Sequence, residues 1–521
     1  MTFGCGDDEA VVDGGPDSAD AGADAGACVD PADVEPAAGR LASPADIDRT
    51  GCETGTLAGF DPTGLWYIEQ DPHPRFGRGP VRFELTCSEG LTVGQGTIVG
   101  QQQVEHRLLD ADDLFWREVT QFGENFFQIE AYDVCRRDTD GSLFGRHAVC
   151  YVGDFGEECF EPREFVARPF GRIAGEADAD GLALVSEHTG GATPWPAAFT
   201  ADVRVRGGVA YVARGTDGVR IVDVSDPAVP ADLGYFAAES DNFNELKVVE
   251  DAGGSPYLLV ASAAAGVYVV DVSDPAAPAQ VARIAPNGEP DHGIHTLYTE
   301  TIDATTYAYL ADGFTDQLFV YDVTDPVNPV DVGTYTIGNE DYGIHAVFAV
   351  DGRAYIQATV GGMIVVDLLP DPSAGAVVGQ YQKPDLYAHQ AWVTTTTGGR
   401  TVAAYGDEGY GAHLEIIDVD ETSGEFMTRI GEIALRDQVS IHDVMALGDR
   451  VYVAHYQDGL RIFDISDPTA PAQAAHFNTW DPATAPGAIF EGASGLDIDV
   501  DSGLIYLTDS PRGLLILEES R

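Results

Sequence analysis

Basic residues are scarce. The 521-residue chain holds 28 Lys and Arg against 86 Asp and Glu, a formal net charge of −58 at pH 7. So acidic a surface repels phosphate backbones, which argues against nucleic acid as a partner and favours cationic partners or divalent cations. Long apolar runs are missing too. No stretch of 18 apolar residues occurs, so no helix is long and apolar enough to cross a membrane. Cysteine stops early: the seven are Cys5, Cys28, Cys52, Cys87, Cys135, Cys150 and Cys159. No nucleophile elbow, P-loop or dinucleotide fingerprint is present, so the commonest signatures of hydrolases and nucleotide enzymes are absent.

What the chain does have is a repeat. Gly218-Val-Arg-Ile-Val-Asp-Val-Ser-Asp-Pro-Ala-Val-Pro230 returns at 266–278, 317–329 and 459–471, with weaker copies at 362–372, 413–424 and 513–518. The acidic markers Asp223, Asp271, Asp322, Asp367, Asp418, Asp464 and Glu518 are spaced by 48, 51, 45, 51, 46 and 54 residues. A period near 40–50 residues with strand-like content predicts four-stranded propeller blades. Each marked strand is apolar on both faces, as in Val267/Val269 against Val270, which predicts burial between two neighbouring sheets. The Asp-Pro pairs at 226–227, 274–275, 325–326 and 467–468 end these strands. Asp bonds its own downstream backbone there, and Pro cannot donate to a ladder. Upstream segments such as 203–205 and 209–213, and a downstream one at 233–236, make four strands per copy over seven copies, the seventh lacking its outer strand.

Gly-Val-Arg-Ile-Val-Asp-Val-Ser-Asp-Pro resembles the LVIVD repeat family of bacterial and archaeal surface proteins. The resemblance covers about 202–521 and implies a β-propeller and an exported location, but no settled activity. Copies four and five depart from the Ser-Asp-Pro turn, at Leu368-Leu-Pro-Asp-Pro372 and Asp420-Glu-Thr-Ser-Gly424, which leaves their outer strands open.

Three segments are expected. Residues 1–27, rich in Asp, Ala and Gly, read as a flexible acidic linker. Gly4-Cys5 before such a linker is similar to the mature start of a bacterial lipoprotein, with Cys5 as the lipidated residue; the alternative is an ordinary cysteine. Residues 28–160 read as a small antiparallel β domain, with strands at 65–68, 81–85, 97–99, 114–116, 126–129 and 149–152. Its aromatics read as core, or as the wall of a ligand pocket. The six cysteines from Cys28 to Cys159 form an even set, which predicts three disulfides in an oxidising compartment, pairing open. Residues 161–521 form the propeller, with 165–173 expected as the closing outer strand beside 513–518. The fold class is thus all-β: a seven-bladed propeller preceded by a disulfide-bonded antiparallel domain.

Chemistry is expected in two places. His295, His345, His389 and His442 each precede by two residues the first apolar position of an innermost strand, in copies three to six. Ala201, Asn244 and Ser494 stand there in copies one, two and seven. If innermost strands line a channel, four histidines ring one end of it. Neutral imidazole ligates Zn, Cu, Fe or Ni; the alternative is bonding to backbone carbonyls and channel water. Asp291, Asp341, Asp385 and Asp443 are candidates to orient the rings. The second place is 176–187, where Glu176, Asp178, Asp180, Gly181 and Glu187 partly match a twelve-residue calcium loop; the alternative is an acidic hairpin turn. Asp497, Asp499 and Asp501 form a weaker acidic set. The expected function is an exported, monomeric binding scaffold for a protein or small molecule; the alternative is a metal-dependent enzyme using the histidine ring.

Overall fold

The computed structural model describes residues 41–521 apart from 42, 53–54, 71–79, 87–89, 95–100, 110–112, 124–125, 154–155, 192, 239–240, 340, 383–386, 410–413, 434, 486, 488–489 and 521. The chain divides into two compact units, Met1–Ala174 with Asp481–Ile489, and Gly175–Trp480 with Phe490–Arg521.

The first unit is a half-barrel of nine antiparallel strands. Its order is Gly90–Gly94, Pro80–Thr86, Gly64–Gln70, Arg163–Pro169, Leu143–Gly153, Phe126–Arg137, Leu114–Gly123 and Gln101–Leu109, with Gly156–Cys159 also paired to Leu143–Gly153. One face buries Trp66, Phe83, Trp116, Tyr132 and Phe165. The Trp116 and Tyr132 rings stack at 4.7 Å, so these aromatics are core. Two of the expected disulfides are formed, Cys52–Cys135 and Cys150–Cys159. Cys5, Cys28, Cys87 and the expected strand at 97–99 lie outside the described residues.

The second unit is a seven-bladed propeller. Blade one is Asp202–Arg206, Val209–Arg214, Gly218–Asp223 and Ala231–Phe236, in that order from the inside out. Blades two to six repeat it, starting at Phe243, Thr296, Ala346, Ala388 and Asp443. Copies four and five keep their outer strands, Ala376–Tyr381 and Thr428–Ile433. Each innermost strand lies against that of the next blade, and the seventh returns to the first, so the ring is closed.

The marked strand is buried on both faces, as its composition dictates. Val267 and Val269 pack towards blade three with Leu297, Leu310 and Phe319. Tyr268 and Val270 pack towards blade one with Tyr211, Val219 and Ile221. The turns are held by their own acids. Asp223 Oδ1 accepts from Ser225 N at 2.9 Å and Ser225 Oγ at 2.6 Å, and Asp226 Oδ1 accepts from Ala228 N at 3.1 Å. Asp464/Ser466 and Asp467/Thr469 repeat the pattern. In the first six blades the pairing of third and outer strands slips by one residue, as between Ile221 and Val222.

The closing strand is not 165–173. Arg163–Pro169 sits inside the half-barrel, paired with Gly64–Gln70 and Leu143–Gly153. Phe165 and Ala167 alternate as an outer strand would, but they face Trp66 and Tyr132 in that core. Closure falls to the next apolar segment. Leu182–His188 pairs antiparallel with Gly513–Glu519 as the fourth strand of blade seven. Ala179–Asp180 adds a fifth, short strand to blade six beside Ala472–Phe477.

Candidate functional site

The four histidines stand at the start of the innermost strands of blades three to six. Their backbones extend the ladder: His295, His345 and His442 N–H groups donate to the carbonyls of Ala311, Gln357 and Ala454 at 2.9, 2.8 and 3.1 Å. His389 lies within its strand, Ala388–Thr395. Because neighbouring blades repeat this register, the rings line up. Centroids are 4.5 Å apart for His295–His345, 4.3 Å for His345–His389 and 4.7 Å for His389–His442. The sequence expectation of a histidine array is therefore met in space. His345 and His389 are buried; His295 and His442, at the two ends, are half-buried.

The adjoining blades complete the array with the residues that replace histidine there. Asn244 Nδ2 meets His295 Nδ1 at 2.9 Å, and His442 Nδ1 meets the Ser494 carbonyl at 2.8 Å. His345 Nδ1 meets the His389 carbonyl at 3.3 Å. A carbonyl only accepts, so Nδ1 of His345 and His442 carries the proton and Nε2 keeps a lone pair. Tyr387, Tyr456 and Phe199 stand against the rings, and Phe490 packs on Tyr456.

Glu408 was not legible as part of this set. It follows the second strand of blade five, and its Oε2 lies 3.7 Å from His389 Nε2. Tyr456 Oη donates to its Oε1 at 2.7 Å. Burial pushes the Glu408 carboxyl up to about 8. Burial also holds His295, assisted by repulsion from His442, and His442 itself at about 4. His345 and His389 are held well below the ordinary imidazole range by burial and by neighbouring imidazoles. At neutral pH the rings are thus uncharged.

The candidate orienting acids behave differently. Asp291 and Asp341 are exposed, and Asp385 lies outside the described residues. Asp443 accepts from Leu496 N in the next blade at 3.1 Å. It belongs to a set of blade-to-blade clamps: Asp497 on Val205 N, Asp202 on Leu246 N and Glu245 on Leu297 N. Arg204 joins them, 2.8 Å from Asp202 and 3.6 Å from Glu245. Burial pushes the Asp202 carboxyl up to about 7 against the pull of Arg204. These clamps knit inner strands together and do not reach the rings by any hydrogen bond among the described residues.

The 176–187 segment forms two strands around Gly181 rather than one loop. Its end carboxylates are engaged elsewhere: Glu176 by Arg461 at 2.6 and 2.8 Å, Glu187 by Arg512 at 2.6 Å. Glu176, Asp178, Asp180 and Glu187 are therefore not brought together as a set. Asp499 is spent on the turn at Asp501 and Ser502.

Among solved structures, the chain is similar to BamB from Moraxella catarrhalis, at 12% identity over 61% of this chain and 82% of that one, with a TM-score of 0.38. It is similar to Chaetomium thermophilum Raptor at 9% identity, over 63% of this chain and 28% of that one, TM-score 0.44. Saccharomyces cerevisiae Sqt1 matches at 11% identity, over 63% and 96%, TM-score 0.44. No curated protein matches the chain. The LVIVD repeat family matches 199–237, 255–285, 305–337 and 440–479, which fall on blades one, two, three and six. The unmatched copies include four and five, where the Ser-Asp-Pro turn is replaced. The chain carries LVIVD repeats on a seven-bladed β-propeller.

Proposed function

We propose that the chain is an exported binding scaffold whose working surface is the channel mouth at the histidine end. A propeller of LVIVD repeats suits a scaffold or interaction role, since rigid blades hold variable loops on one face. The observation that carries the reading is the convergence at that mouth of four histidines with half-buried Phe199, Tyr387 and Phe490. A few aromatic surfaces beside convergent polar groups are what a ligand site needs. Two long inter-blade connections, 189–201 and 285–295, join the ends of outer strands to the starts of inner ones on this side. Two disulfides support an oxidising compartment.

A photo-crosslinking residue at Phe199 or Phe490, read in the producing cells against one at Val500 at the far end of blade seven's inner strand, tests the surface. Discrete adducts from the mouth positions support it; adducts from Val500 alone sink it. Free Cys52 and Cys135 thiols in protein taken from those cells without reductant would count against export. A second reading, a metal-dependent enzyme, is favoured by the meeting of Glu408 with the buried histidines.

A further inference from the structure

Of the four histidines, two are joined by a carboxylate. One ligand atom each from His345, His389 and Glu408 lies within 4.8 Å of the others. Three such donors at that separation surround a point that a cation of ordinary bond length reaches after small side-chain adjustments. An ordinary core histidine has its ring nitrogens satisfied. His389 is only 4% exposed, and its Nε2 faces Glu408 Oε2 at 3.7 Å, longer than a hydrogen bond.

The backbone places Glu408 by a turn that recurs from blade to blade. Glu408 lies two residues beyond Gly406, which pairs with Gln390, the residue after His389. The same position in blade four is Thr359, two beyond Gln357, and in blade six Tyr456, two beyond Ala454. Thr359 and Tyr456 hold φ of 45° and 32°, in the left-handed region that a β-branched or aromatic residue enters at a cost. Gly215 and Gly313 hold positive φ at the same position in blades one and three, so the turn belongs to the repeat. Here it turns the chain so that Thr359 and Tyr456 bridge to Ala388 and Ala493, at the next blade's inner strand.

The donor set selects the ion. Two imidazoles and one carboxylate suit zinc, iron(II), cobalt or nickel, whereas calcium and magnesium want oxygen shells. Asn244 occupies His295 Nδ1 as a donor, which leaves the proton of that ring on Nε2 and removes His295 from the set. Resting on the reading of the channel mouth as the working site, we propose that His345, His389 and Glu408 bind one divalent transition-metal ion. Three protein ligands leave a coordination position for a small molecule, the arrangement of sites that act on ligands rather than merely brace a fold. Tyr456, donating to Glu408, orients the carboxylate.

The test uses the full chain, stripped with a chelator, dialysed and titrated with zinc(II) by calorimetry and with cobalt(II) by visible absorption. One equivalent of each is expected, with cobalt ligand-field bands. His389→Ala and Glu408→Gln should weaken binding by about tenfold or more, and Asp341→Asn, at an exposed carboxylate, should leave it unchanged. Glu408→Gln is nearly isosteric, and thermal melts of each variant confirm that the propeller is intact. No saturable binding by the unaltered chain, or equal affinity in His389→Ala and Glu408→Gln, overturns the proposal. A null titration with mouth crosslinks retained removes the metal alone; loss of both removes the reading beneath it.

Discussion

Arg461 grips Glu176 through two parallel contacts, Nη1 to Oε1 at 2.6 Å and Nη2 to Oε2 at 2.8 Å, across 285 residues of sequence. The Arg461 side chain is 2% exposed. His476 Nε2 donates to the neighbouring Ala177 carbonyl at 3.0 Å. Together they fasten the segment that enters the propeller onto blade six, one step before it closes blade seven.

Replacing Arg461 by Ala leaves a carboxylate without its partner in a largely desolvated seam. A loss of roughly 3 kcal/mol is expected in urea unfolding of the propeller. A change well under about 1 kcal/mol would mean that water screens the pair as it does at a surface.

The closing strand makes a crossed prediction. Leu182 packs with Leu515 and Leu517, whereas Phe165 packs with Trp66 and Tyr132. Leu182→Asp should lower the propeller's calorimetric transition and promote association through the freed edge. Phe165→Asp should lower only the half-barrel's transition. The reverse outcome would restore 165–173 as the latch.

That exchange shows where sequence reading ends. The blades were legible because Asp223 and its counterparts recur in register with a two-faced apolar strand, a signal carried seven times. The histidine array was legible for the same reason, since one register repeated over four blades puts four rings at one height. Glu408 carried no such signal: it occurs in one blade, and its neighbours at that position are Thr359 and Tyr456. Nor could local pattern separate 165–173 from 182–188, as both alternate apolar residues after a turn. The acids at Glu176 and Glu187 fitted a calcium spacing because the arginines that take them lie 285 and 325 residues away.

The two disulfides should differ in worth. Cys52–Cys135 closes a span of 83 residues and Cys150–Cys159 one of 9. On the chain-entropy account the first stabilises by about 4–5 kcal/mol and the second by about 2–3 kcal/mol. Cys52→Ala with Cys135→Ala should therefore lower the half-barrel's melting more than Cys150→Ala with Cys159→Ala. Neither pair should move the propeller's transition. Equal effects would argue that residual structure in the unfolded chain, and not loop length, sets the difference.

Where outer strands slip by a residue, glycine lets the next blade's turn approach. A Cβ at Gly234 would overlap the Pro275 carbonyl oxygen, and one at Gly431 the Pro468 carbonyl oxygen. Gly234→Ala should cost about 1–3 kcal/mol. Gly424→Ala, with nothing within 4 Å, serves as the tolerated control. If both substitutions unfold at the same urea concentration, the blades do not depend on that close approach.

Asp509, fully buried, has its carboxyl pushed up to about 6 by burial, although Arg512 N donates to it at 3.1 Å. Its unfolded value is near 3.8. The folded state holds the proton more tightly, so the contribution is full below about 3.8 and is lost as pH rises through about 6. Asp509→Asn should thus gain on the parent between pH 4 and 7, by up to about 3 kcal/mol. A stability difference that stays flat over that range would show that the carboxylate is already charged.

Leu182–His188 leaves the ribosome before any blade is made, and its partner Gly513–Glu519 leaves after six blades are complete. Six and a half sheets can assemble while this strand waits with an open edge, so the ring cannot seal before 513–519 is made. A chain cut short anywhere in the last blade keeps its opening strand but has nothing to receive it. Such a fragment would offer the edge to another copy, and full-length protein alone would emerge as a sealed ring. The fastening also acts as a check on the ring, since closure arrives only with its seventh blade.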